Sequence, residues 1–275
     1  MKKRILLALD LEGVNNVAGE PYVGLTKGCE QWEVARRQAA HEVNAAAEAL
    51  FAAGAETVAL WDNHGGGNNV DPTDLDPRIH LINGDNKAPR MSFAKDAFDG
   101  ICFFGYHAME GTLGGVLAHT MNSKANQYYK LNGSYIGEVD MDAYIAASHG
   151  MPSCLFVGGN IACAQAARAI PGIVTVVTKE ELSRNEAIFR ENDELFAEIA
   201  KAVVEAVENP PAITPLTFPA VMEKSHKRVE DAAKYLVKVQ GKGIDADHLA
   251  DEILGKDAHT VCSKLESMDD FISTI

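Results

Sequence analysis

Four short apolar segments constrain the fold of this chain more than any other feature of its sequence. They span residues 4–10, 57–62, 100–107 and 153–158, and turn or polar residues close each of them. Apolar runs of this length, without alternating polar residues, are typical of strands buried on both faces of a parallel sheet. Parallel neighbours need long crossover connections, which usually contain a helix. The four segments therefore predict an α/β fold.

The connection between the first two segments is predicted to be a helix over residues 31–53. Its small and apolar residues recur every three or four positions and so share one face: Ala35, Ala39, Val43, Ala46 and Leu50. Gly54 supplies a stop signal. Repeated strand, helix and strand units form right-handed crossovers. We therefore expect a mostly parallel sheet with helices on both faces.

The later part of the chain mixes hairpin and helix signals. Asn132-Gly133 is typical of a two-residue hairpin turn. We predict strands over residues 128–131, 134–136, 216–223 and 259–265, and helices over residues 139–149, 160–170 and 180–208. The last helix is charged and amphipathic, and the Pro210-Pro211 pair follows it. We expect an α/β domain over residues 1–180 and a smaller α+β part over residues 181–275.

The charge balance disfavours two classes of partner. Lysine and arginine total 25 against 39 aspartate and glutamate residues, which gives a net charge of −14. A surface of this sign repels phosphate backbones and anionic lipid. We therefore expect no nucleic-acid partner and no membrane partner.

The cysteines and the first residues of the sequence indicate the cellular compartment to expect. The five cysteines are scattered, and no Cys-x-x-Cys pair occurs, so the sequence signals neither a disulfide framework nor a thiolate zinc site. Basic residues precede an apolar stretch at the start of the chain, but that stretch ends at Asp10 and is too short for a signal peptide. We expect a cytoplasmic protein.

Acids and histidines cluster where the predicted strands end. The first strand leads into Asp10-Leu11-Glu12, the second into Asp62-Asn63-His64, and the third ends at His107. Each residue alone is more often a cap or a structural histidine. Because the carboxyl ends of parallel strands meet at one edge of the sheet, the coincidence predicts a metal site there. Asp62 could orient a ligand histidine or cap the glycine-rich turn that follows.

The chemistry of these side chains narrows the choice of metal ion. In an extended chain, Asp10 and Glu12 point the same way and could face one metal cluster. Carboxylate oxygen and imidazole nitrogen without thiolate favour zinc, with manganese or iron as alternatives.

The motifs also resemble a known family. Asp10-Leu11-Glu12-Gly13, Asp62-Asn63-His64, Gly105-Tyr106-His107-Ala108, His119-Thr120-Met121 and Gly137-Glu138 follow the order found in the D-aminopeptidases of bacterial dipeptide-transport operons. The resemblance extends over roughly residues 4–180. It implies that two zinc ions per subunit are held by Asp10, Glu12, His64, His107 and Glu138, with Asp10 as the candidate bridge. It also implies that His119 is catalytic, which we interpret as general acid/base chemistry.

The resemblance carries further expectations about function. It implies a dinuclear zinc aminopeptidase that removes an N-terminal D-amino acid from short peptides through a water activated by the two metals. It also implies a homo-oligomeric ring, for which residues 181–275 are the expected contact region. Glu110, in the loop between His107 and His119, is one candidate for holding the substrate amine.

Two other functions remain open from the sequence. Leu9-Asp10-Leu11-Glu12-Gly13-Val14 also resembles the aspartyl-phosphate motif of haloacid-dehalogenase phosphatases, which depend on magnesium. That reading leaves His64, His107 and His119 without a role. A metal-binding or sensor protein without catalytic activity is the third class, and a complete ligand set beside His119 argues against it.

Overall fold

A computed structural model describes residues 3–21, 23–84, 88–239 and 259–275 of the chain. The strands, in chain order, are β1 (Arg4–Leu9), β2 (Thr57–Asp62), β3 (His80–Asn83), β4 (Gly100–Tyr106), β5 (Asn126–Leu131), β6 (Ser134–Ile136), β7 (Ser153–Gly158), β8 (Val174–Val177), β9 (Lys179–Ser183), β10 (Glu186–Phe189), β11 (Ala220–His226) and β12 (Thr260–Leu265). The helices of four residues or more are α1 (Glu30–Ala52), α2 (Glu138–Ser148), α3 (Asn160–Ala169), α4 (Asn192–Glu208), α5 (Val229–Val239) and α6 (Met268–Thr274). None of these described helices is long and apolar enough to cross a membrane.

A six-stranded parallel sheet forms the centre of the fold. Its strand order is β3-β2-β1-β4-β7-β8, so the four strands predicted from apolar runs are the four inner strands. The two edge strands, β3 and β8, were not predicted. Both are partly exposed and therefore lack a continuous apolar run. The expected α/β fold with a mostly parallel sheet is confirmed.

Alternate residues of β1 belong to two different cores. Ile5, Leu7 and Leu9 pack in a cluster that contains the buried residues of α1 and α4. Leu6 and Ala8 pack in a second cluster with the buried residues of α2 and α3. Successive side chains of a strand point to opposite faces, so the sheet carries helices on both sides, as expected.

A second, antiparallel sheet has the order β12-β11-β5-β6. Its β5–β6 turn is the predicted Asn132-Gly133 hairpin, in which both residues have positive φ, 50° and 82°. Strand β11 pairs with β5, and α4 shares the core of α1, so contacts cross the expected boundary near residue 180. The division at that residue stays a prediction.

The helix predicted over residues 180–208 is wrong in its first part. Residues of that part form the β9–β10 hairpin, and α4 begins only at Asn192. The carboxylate of Glu181 accepts hydrogen bonds from the backbone N–H groups of Val116 and Ile161, at 2.7 and 2.8 Å. This tertiary anchoring outweighs the local helix propensity of the charged residues.

The exits of β1 and β4 approach each other so closely that only glycine fits. Gly105 has a φ of +69°, and a Cβ there would lie 2.0 Å from the carbonyl oxygen of Asp10. A Cβ on Gly13 would lie 2.1 Å from the carbonyl oxygen of Tyr106. The N–H of Gly13 donates to the carbonyl of Gly105 at 2.6 Å. This contact brings the residues that follow β1 next to those that follow β4.

We predict that Gly105→Ala destabilises the protein by roughly 2–5 kcal/mol, because the left-handed backbone and the steric clash add. Gly150→Ala is the matched control. Gly150 also has positive φ, +75°, but a Cβ there meets nothing within 4 Å, so we expect a cost of only about 1–2 kcal/mol. Urea unfolding of both metal-free variants measures the difference. Equal losses would contradict the steric part of the explanation.

Candidate metal centre

The strand exits place five acidic and imidazole side chains in one cluster. Asp10 and Glu12 follow β1, His64 follows β2, His107 follows β4, and Glu138 is the first residue of α2. The side chains of Asp10, Glu12 and His107 are almost fully buried. Residues from four separate parts of the sequence therefore share one buried site.

Asp10 occupies the middle of the cluster. Its Oδ1 lies 2.8 Å from Nδ1 of His64, and its Oδ2 lies 3.4 Å from Nε2 of His107. Each of the two oxygens thus faces a different imidazole. This is the arrangement that a carboxylate shared between two cations needs, because each cation takes one oxygen.

Glu12 and Glu138 lie on the two sides of Asp10, one beside each imidazole. Oε2 of Glu12 lies 3.1 Å from Nδ1 of His64, and Oε1 of Glu138 lies 3.3 Å from Nε2 of His107. Two groups of potential ligand atoms result, Asp10 with Glu12 and His64, and Asp10 with His107 and Glu138, each within 4.8 Å. All ligand atoms are oxygen or imidazole nitrogen, which suits zinc.

His107 supplies a direct test of whether the cluster fits a cation. Its Nδ1 donates to the carbonyl of Ala108 at 2.9 Å, and its buried Nε2 has no hydrogen-bond partner among the described residues, although two carboxylates lie near it. A ring fixed in this way presents Nε2 as a metal ligand. A proton or a metal ion is needed between that nitrogen and the carboxylates, so the residues fit a metal.

The titration of the cluster reflects its concentrated negative charge. Burial opposes ionisation of Asp10, but the neighbouring imidazoles of His107 and His64 outweigh it and hold the pKa of Asp10 well below its usual range. Burial likewise opposes the charging of His107, yet the nearby carboxylates of Asp10 and Glu138 keep the pKa of His107 well above its usual value. Without a metal ion, imidazolium protons balance the carboxylates. A divalent cation would take over that role and release the protons.

His119 lies at the edge of the cluster. Its ring stacks on that of His107, with centroids 3.9 Å apart, and its Nε2 lies 3.8 Å from Oε1 of Glu138. The Nδ1 atom donates to the carbonyl of Leu117 at 2.8 Å, which leaves Nε2 to face the site. His119, Glu12 and His107 also form a third group of potential ligand atoms. The geometry therefore permits both a catalytic and a ligand role.

A buried polar network, not recognised in the sequence, supports the histidine-bearing exits. Asp142 accepts two hydrogen bonds from Arg90, at 2.5 and 2.8 Å, and one from the hydroxyl of Tyr106 at 2.6 Å. Arg90 also donates to Asn63, the neighbour of His64. Asp142 lies four residues after Glu138, on the same face of α2. That spacing is the sequence signal that could have indicated it.

Lys179 is a second supporting residue that the sequence analysis missed. Its buried ammonium donates to the backbone carbonyls of Glu12, Val14 and Val17, at 2.6, 2.9 and 2.5 Å. Burial lowers the pKa of Lys179 to about 8. The lysine fixes the loop that carries Glu12. A lone lysine directly after the apolar stretch at residues 173–178 was the available signal.

Two other candidate residues take structural positions. Asp62 accepts hydrogen bonds from the backbone N–H groups of Asn69 and Val70, so it caps the glycine-rich turn, the second of the roles considered for it. The carboxylate of Glu110 lies 3.7 Å from Nζ of Lys227, and Glu110 is not among the described residues that line the cavity at the metal centre. That cavity has a volume of about 760 Å³ and reaches Asp10, Glu12, His64, His119 and Glu138.

The chain is similar to known proteins over most of its length. A family model described as D-aminopeptidase, peptidase family M55, matches residues 3–239. The D-aminopeptidase of Bacillus subtilis (strain 168) is 28% identical over 217 residues, which cover 78% of each chain. Among solved structures, the chain is similar to the Zn-dependent D-aminopeptidase DppA from Bacillus subtilis, described as a self-compartmentalizing protease. That match has a TM-score of 0.86 at 22% identity, and it covers 98% of this chain and 94% of the other.

We predict that the protein binds about two zinc ions per chain, and that Glu12→Ala and His107→Ala each lower this to about one or fewer, because each removes a ligand of one side. His80→Ala, at an exposed position in β3, is the control and should leave the metal content unchanged. Elemental analysis after dialysis against trace zinc makes the measurement. Full metal content in both ligand variants would show that the cluster is not the metal site.

Proposed function

The chain belongs to the D-aminopeptidase family, and from that membership we propose that it uses two zinc ions to remove N-terminal D-amino acids from short peptides. The observation that carries the proposal is the position of Asp10, with one oxygen facing His64 and the other facing His107. The solved relative is described as Zn-dependent, which supports the choice of metal. A magnesium phosphatase would leave both imidazoles without a role.

The residues on each side of Asp10 define how the metals would be held. Glu12 and His64 would bind one zinc ion, and His107 and Glu138 the other, with Asp10 shared. Two zinc ions at these positions would polarise the scissile carbonyl and lower the pKa of a water towards about 7.

His119 is the residue we propose for proton transfer. Because its Nδ1 is committed to the carbonyl of Leu117, Nε2 remains free to exchange a proton on the cavity side. It takes up the proton that the attacking water loses and delivers it to the leaving nitrogen as the C–N bond breaks. Stacking on His107 fixes the plane of the ring during both transfers.

Assembly and location form a further part of the proposal. The relative described as self-compartmentalizing supports a homo-oligomeric ring, with contacts in residues 181–275. The β9–β10 hairpin in that region exposes the apolar side chains of Leu182, Ile188 and Phe189, which a subunit contact would bury. Cys29, Cys102, Cys154 and Cys163 form no disulfide bond, which agrees with a cytoplasmic location.

The role of His119 is tested by His119→Ala. We expect near-normal zinc content and a loss of roughly 10²–10⁴-fold in kcat, the usual worth of a positioned acid or base. Elemental analysis and steady-state kinetics on the same preparation separate the two roles. If one zinc ion leaves together with the imidazole, His119 is a ligand and the proton-transfer role is wrong.

The activity itself is tested with D-Ala-Gly and L-Ala-Gly, which differ only at the N-terminal stereocentre. We expect the zinc-loaded enzyme to cleave the D peptide with a kcat/KM at least about tenfold higher, because inversion moves the side chain into the cavity wall. A preference for the L peptide would contradict the stereochemistry and keep the metallopeptidase. Phosphate release from p-nitrophenyl phosphate without cleavage of any peptide would contradict both.

A further inference from the structure

The cavity of the metal centre has a second polar region, formed by Lys224 and His226 on β11. Both residues line the same cavity as Asp10 and His119. They are 8% and 4% exposed, so both are nearly as buried as the metal-centre acids. Neither side chain has a part in holding the metals or moving the proton.

Lys224 is a buried cation that has no ion-pair partner in the part of the chain that the structure describes. Its Nζ lies over the rings of Tyr129 and Tyr235, 4.9 and 4.5 Å from their centroids, and donates one long hydrogen bond to the carbonyl of Thr274 at 3.4 Å. No carboxylate within the described ranges forms an ion pair with it. Burial lowers the pKa of Lys224 to about 8, so it is still mostly charged at neutral pH. A buried charge in this state is costly unless a ligand balances it.

His226 is a buried side chain whose polar atoms are unused. Among the described residues, neither Nδ1 nor Nε2 has a hydrogen-bond partner, whereas the backbone N–H donates to the carbonyl of His259 and the backbone carbonyl accepts from the side chain of Gln127. Burial, together with the charge of Lys224, lowers the pKa of His226 to about 4. The neutral ring therefore carries an N–H donor without an acceptor in the described part of the protein. Buried donors of this kind normally have a partner.

The other face of the same sheet offers a comparison. Lys130 on β5 also lies over two tyrosine rings, those of Tyr128 and Tyr135, at 5.1 and 4.8 Å. Unlike Lys224, it has a carboxylate nearby, with Oε2 of Glu223 at 3.7 Å. The outward-facing lysine is therefore supplied with an anion by the protein, whereas the lysine that faces the cavity is not.

The β11 end of the cavity suits an anion, because it has an ammonium without an ion-pair partner in the described part of the chain beside an unused imidazole donor. The proposed aminopeptidase function puts the N-terminal residue of the substrate at the metal end, so the other end of a short peptide would point towards β11. Asn126, the partner of His226 in the sheet, donates to the carbonyl of Thr120, next to His119, and so connects the two ends. Each peptide residue advances by at most about 3.8 Å, and about 760 Å³ is room for a few residues.

We propose that Lys224 and His226 bind the C-terminal carboxylate of the substrate, which makes the enzyme selective for short peptides with a free carboxyl end. The proposal rests on the proposed aminopeptidase function and adds a specificity determinant to it. Lys224 balances the charge of the carboxylate, and His226 donates a hydrogen bond to it. A peptide that ends in an amide lacks the charge, and its carbonyl oxygen is a weaker hydrogen-bond acceptor than a carboxylate.

The test compares D-Ala-D-Ala with D-Ala-D-alaninamide. We expect the wild-type enzyme to favour the free acid by about tenfold or more in kcat/KM, mainly through KM, since hydrogen bonds to charged groups are worth at least that factor. In Lys224→Met this ratio should fall to about one, and Lys224→Arg should restore most of it. Lys130→Met is the matched control and should leave the ratio at its wild-type value.

His226→Phe adds a readout that a structural role would not give. The substitution removes two polar atoms that have no protein partner, so the unfolding midpoint should stay equal or rise while KM for the free acid increases. A large drop in the unfolding midpoint with an unchanged KM would assign His226 a structural role and overturn its part in the proposal.

Calorimetric titration of the metal-free protein with both peptides measures peptide binding separately from turnover. Tighter binding of the free acid that is lost in Lys224→Met supports the carboxylate site whatever the turnover is. Equal affinity for acid and amide, or no binding of the free acid, overturns it. Failure of the zinc-loaded protein to cleave either peptide would instead overturn the proposed function.

Discussion

The backbone contact between the exits of β1 and β4 determines where every other part of the site can lie. Gly13 and Gly105 allow the two backbone segments to meet at a distance at which a Cβ atom would clash. Asp10 and Glu12 are thereby brought beside His107, and the ends of two neighbouring strands become one wall of the cavity. Since this contact is made by backbone atoms, it fixes the spacing of the proposed metal ligands independently of their side-chain rotamers.

Charge compensation then decides which side chains can be buried around that contact. The cluster gathers three carboxylates, and burying them without counter-charge would be prohibitive. Imidazoles face each of them, and the nearby Asp142 has its own cation in Arg90. The ammonium of Lys179 adds positive charge near the cluster, and it binds backbone carbonyl oxygens instead of carboxylates. Lys224 is the exception to this pattern.

The sequence allowed some elements of the fold to be predicted and not others. The inner strands were predictable because burial on both faces demands continuous apolar runs, whereas β3 and β8 are half exposed and leave no such trace. The β9–β10 hairpin was missed because a contact that anchors it is distant in sequence. The carboxylate of Glu181 accepts a hydrogen bond from the backbone N–H of Val116, more than sixty residues earlier in the chain.

The candidate ligands at the strand ends could be recognised because several acids and histidines coincide there. Glu138 came only from the family resemblance, since a glutamate that starts a helix looks like an ordinary N-terminal charge. Lys224 and His226 escaped notice because the predicted strand ended at residue 223.

A carboxylate shared at Asp10, as proposed, would constrain how such a site can diverge. Its two oxygens face two imidazoles, so a change at this position would alter both halves of the centre together. Glu138 lies with one half, whereas Glu12 lies near His64 and also near His107 and His119. A chain with a single metal ion would therefore arise most simply by substitution of Glu138, with the central aspartate retained.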